Sequence, residues 1–86
     1  MKPKIVLTNQ AIEDLIYWSK NDVKTIRKIF SLIADVQKNP FEGIGKPEAL
    51  KHKLAGCWSR RIDNSNRLVY QITEVEIIIV SCRYHY

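Results

Sequence analysis

Val23-Lys-Thr-Ile-Arg-Lys-Ile-Phe30-Ser-Leu-Ile33-Ala-Asp-Val36-Gln-Lys-Asn39-Pro40 is the stretch that decides the fold. Val23, Ile26, Ile29, Phe30, Ile33 and Val36 return at three- and four-residue steps, while Lys24, Arg27, Lys28, Asp35 and Lys38 fill the other side. That period predicts an amphipathic helix with one stripe to bury. It stops at Asn39, because the ring of Pro40 pushes the preceding residue out of the helical region. Upstream, Asn21 and Asp22 read as a break and a new N-cap. Before them Ala11, Ile12, Leu15, Ile16 and Trp18 repeat the same spacing behind Thr8 and Asn9, whose side-chain oxygens suit the free amides of a first turn. Two helices joined so tightly are expected to be antiparallel neighbours.

Their stripes need another layer, and the flanking sequence supplies it. Ile5–Leu7 predicts a short first strand. Residues 58–62, 67–73 and 75–82 are rich in β-branched and aromatic side chains, with turns at Asp63-Asn64-Ser65-Asn66 and around Thr73-Glu74. Ile77–Val80 is apolar without alternation, which predicts a central strand covered on both faces. The order β-α-α-β-β-β predicts an α+β fold with two antiparallel helices packed on a mainly antiparallel twisted sheet. One domain, residues 1–86, is expected: 86 residues are fewer than most single domains hold, and no repeat divides them.

Composition is that of a globular protein, 45% hydrophobic and 27% charged, which excludes a disordered or low-complexity chain. The longest apolar run, Ile77–Val80, is far below the roughly 20 residues of a membrane span. Ile5-Val-Leu7 after Lys2 and Lys4 is too short for a secretory signal. No membrane association is expected. Cys57 and Cys82 are too few for a disulfide framework, and His52, His85, Cys57 and Cys82 lack zinc-site spacing. The expectation is a reduced, cytoplasmic protein without metal or cofactor. Its net charge of +5 is concentrated: residues 44–70 hold Lys46, Lys51, Lys53, Arg60, Arg61 and Arg67 against Glu48 and Asp63. Such a patch attracts a polyanion, most often nucleic acid, or else is a solvated lysine face.

Asn39–Leu50 gathers two of the three prolines and two of the three glycines. A loop of that length in so small a domain points to function rather than mere connection. Cleaving RNA without a metal takes a base for the 2′-hydroxyl, a cation for the phosphoryl oxygens and an acid for the departing 5′-oxygen. Glu48, Arg67 and His85 are candidates for these three. Each also has a plain structural reading. Glu48 can pair with neighbouring lysines, Arg67 can hold its turn or meet Glu74 across the hairpin, and His85 can be a frayed end. Tyr70, Tyr84 and Tyr86 are of a type that stacks on bases, though strand aromatics more often lie in the core. Alternation puts Ile77, Ile79, Ser81, Arg83 and His85 on one strand face and Ile78, Val80, Cys82, Tyr84 and Tyr86 on the other. Inter-strand register is not legible, so whether Arg67 and His85 share a face stays open.

Pro40-Phe-Glu-Gly-Ile-Gly-Lys-Pro-Glu-Ala-Leu-Lys-His52, Gly56-Cys-Trp-Ser-Arg-Arg-Ile62, Arg67-Leu-Val-Tyr70 and Cys82-Arg-Tyr-His-Tyr86 follow one another along the chain. These four strings in order resemble the YoeB/Txe family of toxins, within the RelE/ParE superfamily. The resemblance implies a RelE-like fold and a ribosome-dependent mRNA endonuclease that cuts A-site message without a metal. Within the matching strings it implies Glu48 as general base, Arg67 as transition-state stabiliser, His85 as general acid and Tyr86 as a positioning residue. It also implies phosphate contacts from Lys51, Lys46, Arg60 and Arg61. Its implied partners are the ribosome, mRNA and a cognate antitoxin (YefM/Phd-like or Axe-like), with operator DNA reached only through that antitoxin; homodimerisation is left open. Asn66 stands where relatives commonly carry histidine, and Cys57 where they often carry another residue. Two other readings stay open here, a DNA gyrase inhibitor of the ParE branch and a catalytically dead RNA-binding module.

Overall fold

The computed structural model describes residues 2–84; Met1 and the candidates His85 and Tyr86 lie outside the described residues. The elements run β1 (Lys4–Leu7), α1 (Asn9–Asn21), α2 (Val23–Lys38), β2 (Glu48–Ala49), a 3-10 turn (His52–Leu54), β3 (Cys57–Arg61), β4 (Arg67–Ile72) and β5 (Glu76–Ser81). Five strands form one sheet in the order β1-β5-β4-β3-β2, antiparallel except for β1 alongside β5. The fold is thus α+β, as the patterning predicts, with one strand more: the end of the long loop adds β2 to the sheet edge.

The helix signals hold in place. Thr8 Oγ1 caps α1 by accepting from the Ala11 amide at 3.1 Å and also donates to the Val80 carbonyl at 2.7 Å, so one hydroxyl both starts the helix and ties it to β5. Asp22 occupies the N-cap position of α2, but its carboxylate accepts from the Thr25 hydroxyl at 2.9 Å rather than from a backbone amide. α2 ends at Lys38, one residue before Asn39-Pro40.

Ala11 and Trp18 of α1 and Ile29, Leu32, Ile33 and Val36 of α2 pack with Ile62, Leu68, Tyr70, Ile77, Ile79 and Cys82 of the sheet in one buried cluster. The apolar stripes are wider than this contact. Ile12, Ile16, Val23 and Phe30 stay exposed, and Thr25 and Leu32 take buried places instead. β5 is an interior strand, but its two faces are unequal: Ile77 and Ile79 are buried, whereas Ile78 and Val80 are only half-buried. The expectation of cover on both faces is therefore corrected. The helices lie on one face, and these four apolar residues cannot reveal that asymmetry by themselves.

The alternation expected along 77–86 is also corrected as far as Cys82. Tyr70 pairs with Ile79 but Val69 pairs with Ser81, so Val80 is an extra residue in a β-bulge. One inserted residue exchanges the faces beyond it. Cys82 consequently follows Ile79 into the core, where alternation alone would have sent Ser81.

Candidate functional site

Cross-strand partners in a ladder share a face. Glu48 pairs with Ser59, Ser59 with Val69 and Val69 with Ser81, which makes one row across four strands. The adjacent positions of that row, Trp58 and Tyr70, belong to the helix-covered core, so the row lies on the opposite face. Arg61 pairs with Arg67 on this same face, two residues along from Ser59 and Val69. Strand spacing places Glu48 roughly 10 Å across the sheet from Val69 and about 12 Å from Arg67, within combined reach of a glutamate and an arginine for one phosphate. Two arginines facing each other across a ladder repel, and an anion between them offsets that cost.

Arg61 is exposed, Arg67 half-buried and Glu48 exposed. Ser59 and Val69 form a buried floor beneath them, and the Ser59 hydroxyl has no hydrogen-bond partner among the described residues. Glu48, Ala49, Leu50, Lys51 and His52 line an open hollow of about 490 Å³ beside this row. Lys46 and Lys51 flank Glu48, both exposed, and Lys46 takes a left-handed φ of 51° in the turn into β2. Glu74 lies in the β4–β5 turn, at the other end of β4 from Arg67. At about 3.4 Å per strand residue that end is some 17 Å from Arg67 or more, out of reach of the cross-hairpin pair considered from sequence.

Arg60 departs from its expected role. Alternation puts it with Trp58 and Ile62 on the core side, and it is 0% exposed. Nε donates to the Tyr70 hydroxyl (3.2 Å), Nη1 to Asp35 and to the Ile44 carbonyl (3.2 Å), and Nη2 to the carbonyls of Asn39 (2.6 Å) and Glu42 (2.9 Å). A guanidinium has five N–H donors, and these five bonds occupy it fully. Arg60 is therefore no phosphate contact but the internal post of the loop that leads to Glu48. The bond from Arg60, helped by the Ile44 amide at 3.0 Å, holds the Asp35 carboxyl below its usual pKa. Burial raises the pKa of Tyr70, whose hydroxyl donates to the Pro40 carbonyl at 2.8 Å; Arg60 opposes that rise. With no exposed surface, Tyr70 offers no ring to a base. Gly43, with φ 126°, lies where a side chain would strike the Asp35 carboxylate, and Gly45, with φ 80°, where one would strike Leu32, Arg60 and the Arg61 carbonyl.

The segment after β5 is tied down by α1. Buried Asp14 accepts from the Cys82 amide at 2.9 Å, and Trp18 Nε1 donates to the Cys82 carbonyl at 2.9 Å. The Arg83 guanidinium lies 3.3 Å from the centroid of the Tyr17 ring and 4.2 Å from that of Tyr84. The Arg67 amide then donates to the Tyr84 carbonyl at 3.2 Å, so the chain leading to His85 runs beside Arg67. Asp14, Trp18 and Asp35 were not foreseen as contributors. For Asp14 a signal existed, since a carboxylate on the stripe with Ala11 and Trp18 must find buried partners. For Arg60 the period-2 company of Trp58 and Ile62 was the signal. Among the described residues no group of three metal-ligating side chains gathers, and no helix is long and apolar enough to cross a membrane.

Comparison with known proteins places the geometry in context. A family model described as YoeB-like toxin of bacterial type II toxin–antitoxin system matches residues 7–86. Toxin YoeB of Escherichia coli strain K12 is 47% identical over 83 residues, covering 96% of this chain and 99% of that protein. A YoeB dimer from Staphylococcus aureus superposes with a TM-score of 0.92 at 45% identity over the whole of both chains. The toxin in a heterotetrameric YoeB–YefM toxin–antitoxin complex from the same organism does so at 0.88, again at 45% identity with both chains fully covered.

Proposed function

The chain belongs to the YoeB-like toxin family of bacterial type II toxin–antitoxin systems, and from that premise we propose that it is a ribosome-dependent mRNA endonuclease. The observation that carries the reading is the shared sheet face of Glu48, Arg61 and Arg67, with Glu48 paired to Ser59 and the cross-strand pair Arg61 and Arg67 two positions further along. Glu48 takes the proton of the 2′-hydroxyl, and the freed oxygen attacks the adjacent phosphorus. Arg67 donates to the phosphoryl oxygens as their charge grows. The bond from phosphorus to the 5′-oxygen breaks, and His85 hands that oxygen a proton. The products are a 2′,3′-cyclic phosphate and a 5′-hydroxyl, with no metal required. Tyr86 positions the substrate; Arg61, Lys46 and Lys51 contact phosphates.

Cleavage of message in the ribosomal A site halts translation, and a cognate antitoxin inhibits it. The YoeB–YefM complex of the S. aureus relative supports an antitoxin of YefM type, and the basic surface suits an acidic amphipathic segment that orders on binding. A dimer like that of the S. aureus protein is a second assembly open to this chain. Operator DNA is reached through the antitoxin, and the place of action is the cytoplasm.

Brief induction in cells followed by mapping of 5′-hydroxyl RNA ends tests the reading. New ends within translated message should appear, and a folded Arg67→Ala/His85→Ala double variant should produce none. Growth arrest from that double variant at the wild-type level, or inhibition of purified gyrase without any RNA ends, rejects it.

A further inference from the structure

The β3–β4 turn and the segment after β5 meet through one side chain. Asn66 Oδ1 accepts from the Tyr84 amide at 2.6 Å. Its Nδ2 donates to both carboxylate oxygens of Asp63, each at 3.1 Å. Asp63 is itself held in the turn, accepting from the amides of Ser65 and Asn66 at 2.7 and 2.8 Å. The next residue, Arg67, binds the Tyr84 carbonyl through its own amide. Tyr84 is thus gripped at both its N–H and its C=O, and it adopts a left-handed φ of 69°. A residue with a Cβ holds that conformation only where its surroundings over-determine it. Asparagine suits the place because its amide donates and accepts at once. Alanine does neither, and aspartate would set a second carboxylate against Asp63.

We propose that Asn66 is a positioning residue: through the Tyr84 amide it fixes the backbone at Tyr84 beside Arg67, where the Cys82-Arg-Tyr-His-Tyr86 string continues to the proposed acid, and so governs the rate of the chemical step rather than RNA binding. This rests on the nuclease reading above. Reacting groups displaced by about 1 Å lose about 100-fold in rate. Since Arg67, Asp14, Trp18 and Tyr17 still hold the neighbouring backbone and Arg83, loss of the Asn66 bond should cost about 10- to 100-fold.

The test is single-turnover cleavage of mRNA on programmed ribosomes, with wild type, Asn66→Ala, Arg67→Ala, His85→Ala and Asn66→Ala/His85→Ala. Asn66→Ala should lower the maximal rate about 10- to 100-fold, leave half-saturation by ribosomes unchanged, and add nothing in the His85→Ala background, because groups acting as a unit are not additive. Asn66→Ser, polar but too short to reach the Tyr84 amide, should behave alike and replaces the alanine variant if that one does not fold. Wild-type cleavage by Asn66→Ala, or an equal loss with and without His85, overturns the assignment. If wild type cuts, Arg67→Ala does not, and Asn66→Ala is unimpaired, the Asn66 role alone has failed. If wild type leaves no 5′-hydroxyl ends or Arg67→Ala cuts normally, the nuclease reading has failed first.

Discussion

Replacing Arg60 by alanine should come close to unfolding this protein, although the residue sits in a basic string next to an exposed arginine. The substitution removes five hydrogen bonds, one buried and four part-buried. Asp35 keeps 28% of its side chain exposed, so water takes over that carboxylate, and it is left out of the sum. The Tyr70 hydroxyl and the carbonyls of Asn39, Glu42 and Ile44 remain. At about 1 kcal/mol for each lost bond the change is about 4 kcal/mol. An 86-residue domain holds roughly 4–13 kcal/mol in all. The urea midpoint should therefore fall by about 2–3 M, taking a slope near the lower end for small proteins, and the melting temperature by about 15–30 °C. Far-UV circular dichroism through a urea titration at pH 7 measures it. Arg61→Ala, on the exposed side of the same strand, should stay within about 0.5 kcal/mol. A loss below about 1 kcal/mol for Arg60→Ala, the size typical of an exposed charge, would refute the reasoning and return Arg60 to the RNA-contacting set.

Three further outcomes follow from the same geometry. The lowered Asp35 pKa means that the unfolded chain takes up this proton first as pH falls; the stabilisation is present above the usual carboxylate value of 3.8 and is lost as pH drops through the lower folded value. Asp35→Asn should accordingly flatten the acid limb of the stability–pH curve, and an unchanged limb in acid titrations would contradict the pairing. Gly45→Ala forces a Cβ into left-handed backbone against Leu32 and the Arg61 carbonyl and should cost about 1–3 kcal/mol by thermal melting, whereas Gly56→Ala meets no neighbouring atom and should cost less. Cys82 is buried, and burial with the nearby Asp14 charge pushes its thiol up to about 12. Alkylation at pH 8 should label half-buried Cys57 and spare Cys82 until the protein is unfolded; early labelling of Cys82 in native protein would overturn its placement in the core.

The loop from Asn39 to Pro47 joins fold and function physically. Arg60 reaches out from β3 to collect the carbonyls of Asn39, Glu42 and Ile44, and the Arg61 amide donates to the Gly45 carbonyl at 2.6 Å. The backbone is thereby delivered to β2, where Glu48 pairs with Ser59. The glycines serve close approach to the arginine, and the length of the loop serves the carboxylate at its end. Its unusual composition fits this close packing, and Arg60, expected from the resemblance to contact phosphates, works from the inside.

What the chain's order of residues determined alone is what neighbours within a few positions can impose. The two helices, their caps at Thr8 and Asp22, the stop before Pro40 and the three strand-forming runs all rest on contacts between residues up to four apart. The family strings and the basic half were legible for the same reason. Only the tertiary structure decided which face each strand turns to the helices. It seated Arg60 inside and Arg61 outside, set Arg61 against Arg67 and Glu48 against Ser59, and moved Cys82 into the core past the bulge at Val80. Period-two alternation says which residues share a face within a strand, but the register between strands is fixed by packing among residues far apart in the chain, and a single inserted residue reverses it.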